Sequence, residues 1–286
     1  MRANSHSNIL NGGRIAQKQF DISRKEIAHI QKHGEKISLA AVRIGDGKDA
    51  ELYSQSLEKL FLKLSLTYLP VLFPKNISEG RLHREIRKLN VNPKVTAIMV
   101  FSPLPKHLQA ETVLSAVDLM KDAEGRRVIH GIGDRMVSPT ARAVLMLIEE
   151  SAVAIAGKEA VVIGHSDVVG KPTALLLMDK MATVTVCHKK TRDLEAHIQK
   201  ADIVVAAAGC PQLVKGGWIK PGAVVIDVGE NVVDGKLVGD VEFEEAAKRA
   251  AFISPVPGGV GPVTNIMLVK NLIALHHLKR YRDGNR

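Results

Sequence analysis

The sequence predicts an α/β protein of two domains, the second of which is built on a mostly parallel β-sheet. The 286 residues are enough for two domains, because a single hydrophobic core stops growing at roughly 250 to 300 residues. Four apolar runs rich in β-branched residues recur in the second half, and each ends in a small or polar residue. They are EAVVIG, ATVTVCH, ADIVVAAAG and GAVVIDVG. Runs of this length and composition are typical of buried parallel strands.

The first half of the chain shows the same alternation of strands and helices. Residues 37–43 predict a strand, and apolar residues recur at helical spacing over 51–66. Further strands are predicted near Val71 and over 95–101. The two prolines of Ser102-Pro103-Leu104-Pro105 end the last of these strands, because proline has no N–H to donate to a sheet. This loop therefore lies at a strand end, where open α/β sheets bind ligands.

Two helices are predicted to connect the domains. Ser138-Pro139 is typical of an N-cap followed by a first helical residue, and the helix that it begins is expected to bridge the domains. The final helix, 265–281, is expected to be amphipathic and to pack back on the first domain. We therefore predict a first domain of 1–142, completed by 266–286, and a Rossmann-like second domain of 143–265.

Composition and charge exclude several classes of protein. No apolar run reaches the roughly 18 uninterrupted residues that a membrane span requires, and the N-terminus lacks the apolar core of a signal peptide. We therefore expect a soluble, cytoplasmic protein. The net charge is +10, but the basic residues are dispersed, and aromatic residues make up only 3% of the chain. We expect neither a membrane nor a nucleic acid as a partner.

Cys187 and Cys210 are the only cysteines, and each lies at a predicted strand end or in the turn after it. Two cysteines so far apart indicate neither a disulfide framework nor a zinc site, and we expect no bound metal. A free cysteine is among the most buried residue types, so we expect two buried thiols.

The run VVIGHSDVVGKPTALLL predicts a strand, a glycine turn and a helix. Gly164 and Gly170 allow a close approach of the backbone to a pyrophosphate, and the helix N-terminus offers free N–H groups. The run departs from the usual G-x-G-x-x-G pattern, so a simple strand-to-helix turn is the alternative. We interpret it as a dinucleotide site, with His165 and Ser166 as further candidate ligands.

The end of the next predicted strand indicates which dinucleotide binds. Enzymes that use NAD place an acidic residue there to hold the ribose 2′-hydroxyl. This chain instead has Cys187-His188-Lys189-Lys190-Thr191, without a carboxylate. His188, Lys189 and Thr191 are therefore candidate ligands of a 2′-phosphate, as is His165, and NADP is favoured over NAD. The alternative is that the lysines belong to a solvated loop.

Several motifs together carry a resemblance to a known family. The most specific is Pro255-Val256-Pro257-Gly258-Gly259-Val260-Gly261-Pro262, followed by Thr264. It is supported by VVIGHSDVVGKP, ATVTVCHKKT, GAVVIDVG, Gly239-Asp240-Val241 and Pro103-Leu104-Pro105. With these motifs in order, the chain resembles the methylenetetrahydrofolate dehydrogenase/methenyltetrahydrofolate cyclohydrolase family over almost its whole length.

The resemblance implies a fold, an activity and a set of site residues. It implies that the two domains form a cleft that holds a reduced folate against the nicotinamide of NADP, and that the protein is a homodimer. The reaction it implies is hydride transfer from the folate methylene carbon, often followed by hydrolysis of the methenyl product. The further cofactor-binding positions that it implies are Gly209, Asp227, Gly229, Glu230 and Thr264, and the substrate-binding positions include Pro103, Leu104, Pro257, Gly258 and Gly259.

The departures from the family pattern cluster on the folate side. The family has a Tyr-x-x-x-Lys pair on a helix of its first domain, and here Tyr53 is present while Leu57 replaces the lysine. Lys59 is no substitute, because six residues at about 100° each place it about 120° away around the helix. Phe101 stands where the family has glutamine, and Glu124 replaces an aspartate. We predict Tyr53 and Glu124 as catalytic and substrate-binding residues, with Leu57 and Phe101 also lining the substrate pocket.

A last departure lies on the cofactor side, where Glu230 replaces an isoleucine. The Glu230 side chain either binds near the nicotinamide or simply faces solvent or a lysine.

The leading hypothesis is an NADP-dependent methylenetetrahydrofolate dehydrogenase with weak or absent cyclohydrolase activity, because leucine cannot replace the amine of a lysine. Three alternatives stay open: a fully bifunctional enzyme, a paralogue with a different substrate, and a non-catalytic protein that binds NADP.

Overall fold

The computed structural model describes residues 8–125 and 137–284. The chain divides into two compact units, which are named here by the size of their sheets. The large-sheet unit comprises Met1–Phe20 and Ser138–Met267, and the small-sheet unit comprises Asp21–Val137 and Leu268–Arg286. Each unit is an α/β structure with a parallel sheet, as the sequence predicts.

The small-sheet unit contains three parallel strands in the order β2-β1-β3. The strands are β1 (Ser38–Ile44), β2 (Thr67–Phe73) and β3 (Ala97–Val100). Ser38 pairs with Thr67 on one side of β1, and Leu39 pairs with Ala97 on the other. Helices α2 (Lys48–Lys63), α3 (Glu79–Val91) and α4 (Ala110–Ser115) follow the three strands in turn. The central strand is buried over its first five residues, so it forms the middle of this unit's core.

The large-sheet unit contains five parallel strands in the order β10-β7-β6-β4-β5. Four of them are the predicted apolar runs: β4 (Glu159–Ile163), β5 (Thr183–Cys187), β6 (Ile203–Ala206) and β7 (Val224–Asp227). The fifth, β10 (Phe252–Ile253), is too short for a periodic pattern to reveal. A hairpin of β8 (Asn231–Val233) and β9 (Lys236–Val238) stands apart from this sheet. Only β5, at an edge, is largely accessible.

Helices α5 (Pro139–Glu150), α6 (Gly170–Asp179), α7 (Leu194–Lys200) and α8 (Phe243–Arg249) belong to the large-sheet unit. Ser138 caps α5 as predicted, and its hydroxyl accepts a hydrogen bond from the Ala141 N–H. The prediction that this helix bridges the domains is wrong, because all of α5 lies in one unit. The helices that pass from one unit to the other are α1 (Gly12–Lys32) and α9 (Val260–Gly284).

Helix α1 escaped the sequence analysis, although local signals mark it. The Asn11 side chain accepts a hydrogen bond from the Arg14 N–H at 3.0 Å, which is a typical N-cap contact. Ser23, Ile27 and Ile30 are buried at spacings of four and three residues, which follow one helix face. Helix α9 is longer than predicted, and it is apolar on most of its circumference as far as His276 rather than amphipathic.

Cys187 is fully buried, whereas Cys210 is exposed, so the expectation of two buried thiols is right for only one of them. Cys187 ends the apolar strand β5, while Cys210 lies in the turn that follows Gly209. Within the described residues, no helix is long and apolar enough to cross a membrane.

The start of α1 provides a test of the fold. A Cβ atom at Gly12 would lie 1.7 Å from the Gly259 carbonyl oxygen, whereas at Gly13 the nearest atom is the Asn11 side-chain oxygen at 3.2 Å. We expect Gly12→Ala to lower the free energy of unfolding by at least about 3 kcal/mol, because a backbone contact cannot yield easily. Gly13→Ala is the matched control, and urea unfolding measures both. Equal stability of the two variants would show that the close contact is absent.

Candidate functional site

The strand order of the large sheet reverses between β4 and β6, and a candidate site lies at their carboxyl ends. The chain leaves β4 for β5 on one side and then returns to β6 on the other, so the connections diverge at this point. Ligands of open α/β sheets bind in the crevice at such a reversal. A Cβ atom at Gly164, which follows β4, would lie 2.1 Å from the Ala207 carbonyl oxygen after β6. The crevice therefore has backbone walls that only glycine permits.

The second glycine of the predicted turn opens helix α6. A Cβ atom at Gly170 would lie 2.1 Å from the Gly164 carbonyl oxygen, so the helix start packs directly on the turn. The Ser166 hydroxyl accepts hydrogen bonds from the N–H groups of Val169 and Gly170 at 3.2 and 3.4 Å. The positive end of the helix dipole thus faces the crevice, which suits a phosphate group.

The turn after β5 presents two lysines beside this crevice. Thr191 closes the turn, because its hydroxyl accepts from the His188 N–H at 2.8 Å and its own N–H donates to the His188 carbonyl at 2.7 Å. Lys189 and Lys190 are both exposed. The rings of His165 and His188 lie edge to face, with centroids 5.4 Å apart. The structure therefore brings the predicted 2′-phosphate ligands of the two turns together.

Two buried carboxylates hold the loops that follow β6 and β7. Asp227 accepts hydrogen bonds from the N–H groups of Gly229, Asp240 and Val241, each at 2.9 Å. Asp240 accepts from the N–H groups of three consecutive residues, Ala208, Gly209 and Cys210, at 2.6 to 2.9 Å. Both carboxylates therefore position backbone around the predicted cofactor residues.

Desolvation raises the pKa of Asp227 to about 6, although three backbone N–H groups favour its charged form. The Asp227 residue is only 2% exposed. Sequence reasoning did not predict that Asp240 holds the loop after β6, since the Gly239-Asp240-Val241 turn served only as a family motif. The only local indication of this role is an acidic residue between a glycine and an apolar residue. The three N–H groups that donate to Asp240 lie about thirty residues away in sequence, so local sequence does not reveal them.

Glu230 and Thr264 lie at the start of α9. The Glu230 side chain is exposed, and its Oε1 atom is 3.0 Å from the place of a Cβ atom on Gly261, in the first turn of the helix. A carboxylate is favoured at the positive end of a helix. The Thr264 hydroxyl donates to the Val260 carbonyl at 3.2 Å within the same helix. Direct contacts of these two residues with a cofactor stay predictions.

The loop before α9 carries the remaining candidates of the large-sheet unit. The Val256–Pro257 peptide bond is cis, and Gly258 has a φ of +102°, a conformation that favours glycine. Pro257 and Gly258 are exposed, whereas Gly259 is buried. The Gly258 carbonyl accepts a hydrogen bond from the Gly12 N–H at 2.9 Å, which fixes the loop to the start of α1.

The small sheet has its own reversal, between β1 and β3, and two predicted residues meet there. The Phe101 N–H, just after β3, donates to the Val42 carbonyl of β1 at 3.0 Å. Tyr53, on the helix that follows β1, packs edge to face on Phe101, with ring centroids 5.7 Å apart. Tyr53 is half-buried and Phe101 is 5% exposed. The pair therefore forms an aromatic wall at the carboxyl end of this sheet.

Leu57 lies on the face of α2 that packs into the interior. Ser54, Leu57 and Phe61 are the buried residues of this helix, and their spacing of three and four follows one helix face. The Ser54 hydroxyl is 2.7 Å from the Tyr68 hydroxyl on the neighbouring strand. Because Leu57 is fully buried, its side chain has a packing role, and its contact with a substrate stays a prediction.

The other candidates of the small-sheet unit follow β3 or pair with it. The Ser102–Pro103 peptide bond is cis; Pro103 is exposed, and Leu104 packs on the hydrophobic core. Glu124 is half-buried, and its N–H donates to the Asp122 carboxylate at 3.0 Å. The neighbouring Ala123 N–H donates to the Ile98 carbonyl of β3, so this segment lies against the sheet. In the described part of the chain, no cluster of three potential metal ligands occurs.

The sequence matches two family models. The model described as "Tetrahydrofolate dehydrogenase/cyclohydrolase, catalytic domain" matches residues 10–124, and that described as "Tetrahydrofolate dehydrogenase/cyclohydrolase, NAD(P)-binding domain" matches 138–280. Bifunctional protein FolD 2 of Geobacter metallireducens is 40% identical, over 98% of this chain and 100% of that protein. Bifunctional protein FolD of Geotalea uraniireducens is 43% identical, over 93% of this chain and 97% of that protein.

Two solved structures are also similar over nearly the whole chain. The bifunctional enzyme FolD, a methylenetetrahydrofolate dehydrogenase/cyclohydrolase from Campylobacter jejuni, gives a TM-score of 0.92 at 33% identity, over 95% of this chain and 99% of that one. The methylenetetrahydrofolate dehydrogenase-cyclohydrolase of Trypanosoma brucei, solved with NADP cofactor and an inhibitor, gives 0.90 at 37% identity, over 95% and 97%.

Proposed function

Because the chain belongs to the tetrahydrofolate dehydrogenase/cyclohydrolase family, we propose that it oxidises methylenetetrahydrofolate to methenyltetrahydrofolate with NADP as the acceptor. The observation that carries this proposal is the glycine crevice between β4 and β6, with the cationic turn of Lys189 and Lys190 beside it. The domain boundaries predicted above, the homodimer and the cytoplasmic location are parts of the same proposal.

The residues of the large-sheet unit fit NADP. The positive end of the α6 dipole suits the pyrophosphate, and the glycine walls leave room for a close approach. Lys189, His188 and Thr191 would hold the 2′-phosphate, with His165 beside them. When bound, NADP supplies the hydride acceptor. The protein's part in this step is to position the reactants, because the folate nitrogens stabilise the cation that forms.

The small-sheet unit supplies the folate side of the proposal. The half-buried Tyr53 ring, backed by the buried Phe101, offers an apolar surface to a pterin ring, and the Tyr53 hydroxyl can donate a hydrogen bond. We propose that the Glu124 carboxylate accepts hydrogen bonds from the pterin nitrogens, and that Pro103 and Leu104 border the same pocket. Orientation by such contacts lowers the barrier to hydride transfer by restricting the substrate to a reactive geometry.

We further propose that methenyl hydrolysis is weak or absent. Hydrolysis requires activation of water and movement of protons, which the family's lysine can assist. Leu57 has no group that can exchange a proton, and it is fully buried. The alternative is a fully bifunctional enzyme, which the names of its relatives favour, since both curated relatives above are called bifunctional. In that case Tyr53 and an ordered water would replace the amine.

The first experiment measures cofactor reduction by the purified protein with methylenetetrahydrofolate, with NADP and NAD in parallel, while methenyl product is followed by its own absorbance. We expect faster reduction of NADP, because Lys189 and Lys190 complement the 2′-phosphate, and we expect methenyl product to accumulate. Accumulation no greater than in a fully bifunctional relative would contradict the proposed loss of hydrolysis. No reduction of either cofactor, despite NADP binding, would exclude the dehydrogenase.

Replacement of Lys189 by alanine tests the choice of cofactor. We expect Lys189→Ala to weaken NADP binding about tenfold or more, because it removes a charge-assisted hydrogen bond, and to change NAD binding little. Lys200→Ala, an exposed lysine at the end of α7, is the matched control. Titration calorimetry with both cofactors gives the dissociation constants. Equal losses for NADP and NAD would remove Lys189 from the 2′-phosphate site.

Replacement of Leu57 by lysine tests the account of hydrolysis. We expect Leu57→Lys to raise the rate of methenyl hydrolysis by about a hundredfold, the range of general acid–base catalysis, and to change hydride transfer much less. The variant should also be less stable, because a buried ammonium group is costly. Leu57→Met keeps the volume without the amine and serves as the control. A folded lysine variant with no gain in hydrolysis would refute this explanation.

A further inference from the structure

The carboxylate of Asp240 lies inside a concave loop of backbone that follows β6. Its Oδ2 atom accepts hydrogen bonds from the N–H groups of Ala208 and Gly209 at 2.6 and 2.9 Å, and its Oδ1 atom accepts from the Cys210 N–H at 2.9 Å. Consecutive N–H groups that point inward form the kind of concavity that binds anions. Because the fully buried Asp240 already occupies it, this concavity is not a phosphate site.

The carbonyl groups of the same loop point the opposite way. A peptide unit is planar and trans, so its C=O group is directed away from its N–H group. The three inward N–H groups therefore turn the carbonyl oxygens of residues 207–209 away from Asp240. The Ala207 oxygen agrees with this direction, because it lies 2.1 Å from the place of a Cβ atom on Gly164, which follows β4. Ala207 thus presents an acceptor at the crevice between β4 and β6, and two more follow it.

These three carbonyl oxygens have no protein donor. Within the part of the chain that the structure describes, none of them accepts a hydrogen bond from the backbone or from a side chain. Ala207 is half-buried, while Ala208 and Gly209 are exposed, so a bound molecule can reach them. Backbone carbonyls are strong acceptors, and a ligand that carries hydrogen-bond donors would therefore be favoured on this side of the crevice.

The order of the strands assigns the loop to one half of NADP. In the large sheet, β5 lies on one side of β4 and β6 lies on the other. In the function proposed above, the 2′-phosphate binds at the turn after β5 and the pyrophosphate binds at the start of α6, which follows β4. The loop after β6 therefore lies beyond the pyrophosphate. The nicotinamide half of NADP begins there, and its ribose hydroxyl groups and its carboxamide are hydrogen-bond donors.

We propose that Asp240 is a positioning residue for the cofactor, because it turns the carbonyl oxygens of residues 207–209 towards the donors of the nicotinamide half of NADP. Asp240 itself is fully buried and acts only through the loop. A second carboxylate holds Asp240 in turn, since Asp227 accepts a hydrogen bond from the Asp240 N–H at 2.9 Å. This role rests on the proposed use of NADP.

Asp240→Asn tests this role through cofactor binding, which requires no turnover. An asparagine amide has one acceptor oxygen, so its NH2 group faces at least one of the three N–H donors and the loop loses its shape. We expect NADP to bind about tenfold more weakly or worse, because ligand hydrogen bonds are lost. The matched control is Asp202→Asn. Asp202 precedes β6 at the other end of the strand and accepts from the Glu159 N–H at 3.1 Å, so NADP binding should not change.

The outcomes separate this role from the proposed function. Equal binding of NADP by the Asp240 and Asp202 variants overturns the positioning role alone. An unaltered chain that binds no NADP refutes the proposed function, and the positioning role with it.

Fragments of the cofactor distinguish positioning from a general loss of structure. 2′-Phosphoadenosine 5′-diphosphate ends at the pyrophosphate, 2′-phosphoadenosine 5′-diphosphoribose adds the second ribose, and NADP adds the nicotinamide. In titration calorimetry, we expect Asp240→Asn to leave binding of the diphosphate unchanged. A loss for the diphosphoribose and NADP assigns the acceptors to the ribose hydroxyl groups, and a loss for NADP alone assigns them to the carboxamide. An equal loss for all three ligands shows a structural role only and overturns the proposal.

A second pair of variants keeps the buried carboxylate in place. Gly209 has a φ of +64° and Gly222 has a φ of +87°, and a Cβ atom at either position meets nothing within 4 Å. Alanine disfavours both conformations, but Gly222 precedes β7 at the opposite end of the sheet. We expect Gly209→Ala to weaken NADP binding several-fold without changing that of the diphosphate, and Gly222→Ala to change neither. Equal NADP binding by these two variants overturns the proposal.

Discussion

The close approach of backbone at the reversal of the large sheet is the constraint on which the candidate cofactor site depends. Side chains at Gly164 and Gly170 would place a Cβ atom 2.1 Å from carbonyl oxygens of Ala207 and Gly164. Because these walls are backbone, the crevice keeps its shape without help from flexible side chains. The positive end of the α6 dipole and the exposed lysines of the short turn closed by Thr191 then favour a phosphate.

Asp227 and Asp240 extend this rigidity to the neighbouring loops. Between them they accept hydrogen bonds from six backbone N–H groups. These donors compensate only part of the cost of burying a charge, so desolvation still raises the pKa of Asp227 to about 6. The arrangement fixes the loops after β6 and β7 with backbone geometry, so side chains at their tips are free to vary. Glu230 follows β7 in one of these loops, and its side chain is exposed.

The small-sheet unit differs in how its site is built. Tyr53 packs on Phe101, which by the resemblance stands in place of a glutamine. Leu57, which by the resemblance stands in place of a lysine, lies on the buried face of α2. Such changes remove proton-transfer groups but keep a surface on which a flat ring can bind. Under the function proposed above, a step that needs only positioning survives this change, whereas a step that needs an acid or base is impaired.

The sequence by itself determined the α/β class, the four apolar strands, the Ser138 cap, the glycine turn and the family, because each depends on residues close together in the chain. Only the tertiary structure decided which features act together. It showed that α1 and α9, rather than α5, pass between the units, and that Cys210 is exposed. It also paired Asp240 with a loop about thirty residues away in sequence. Long-range contacts of this kind leave no periodic pattern in the sequence, so they cannot be predicted from local sequence.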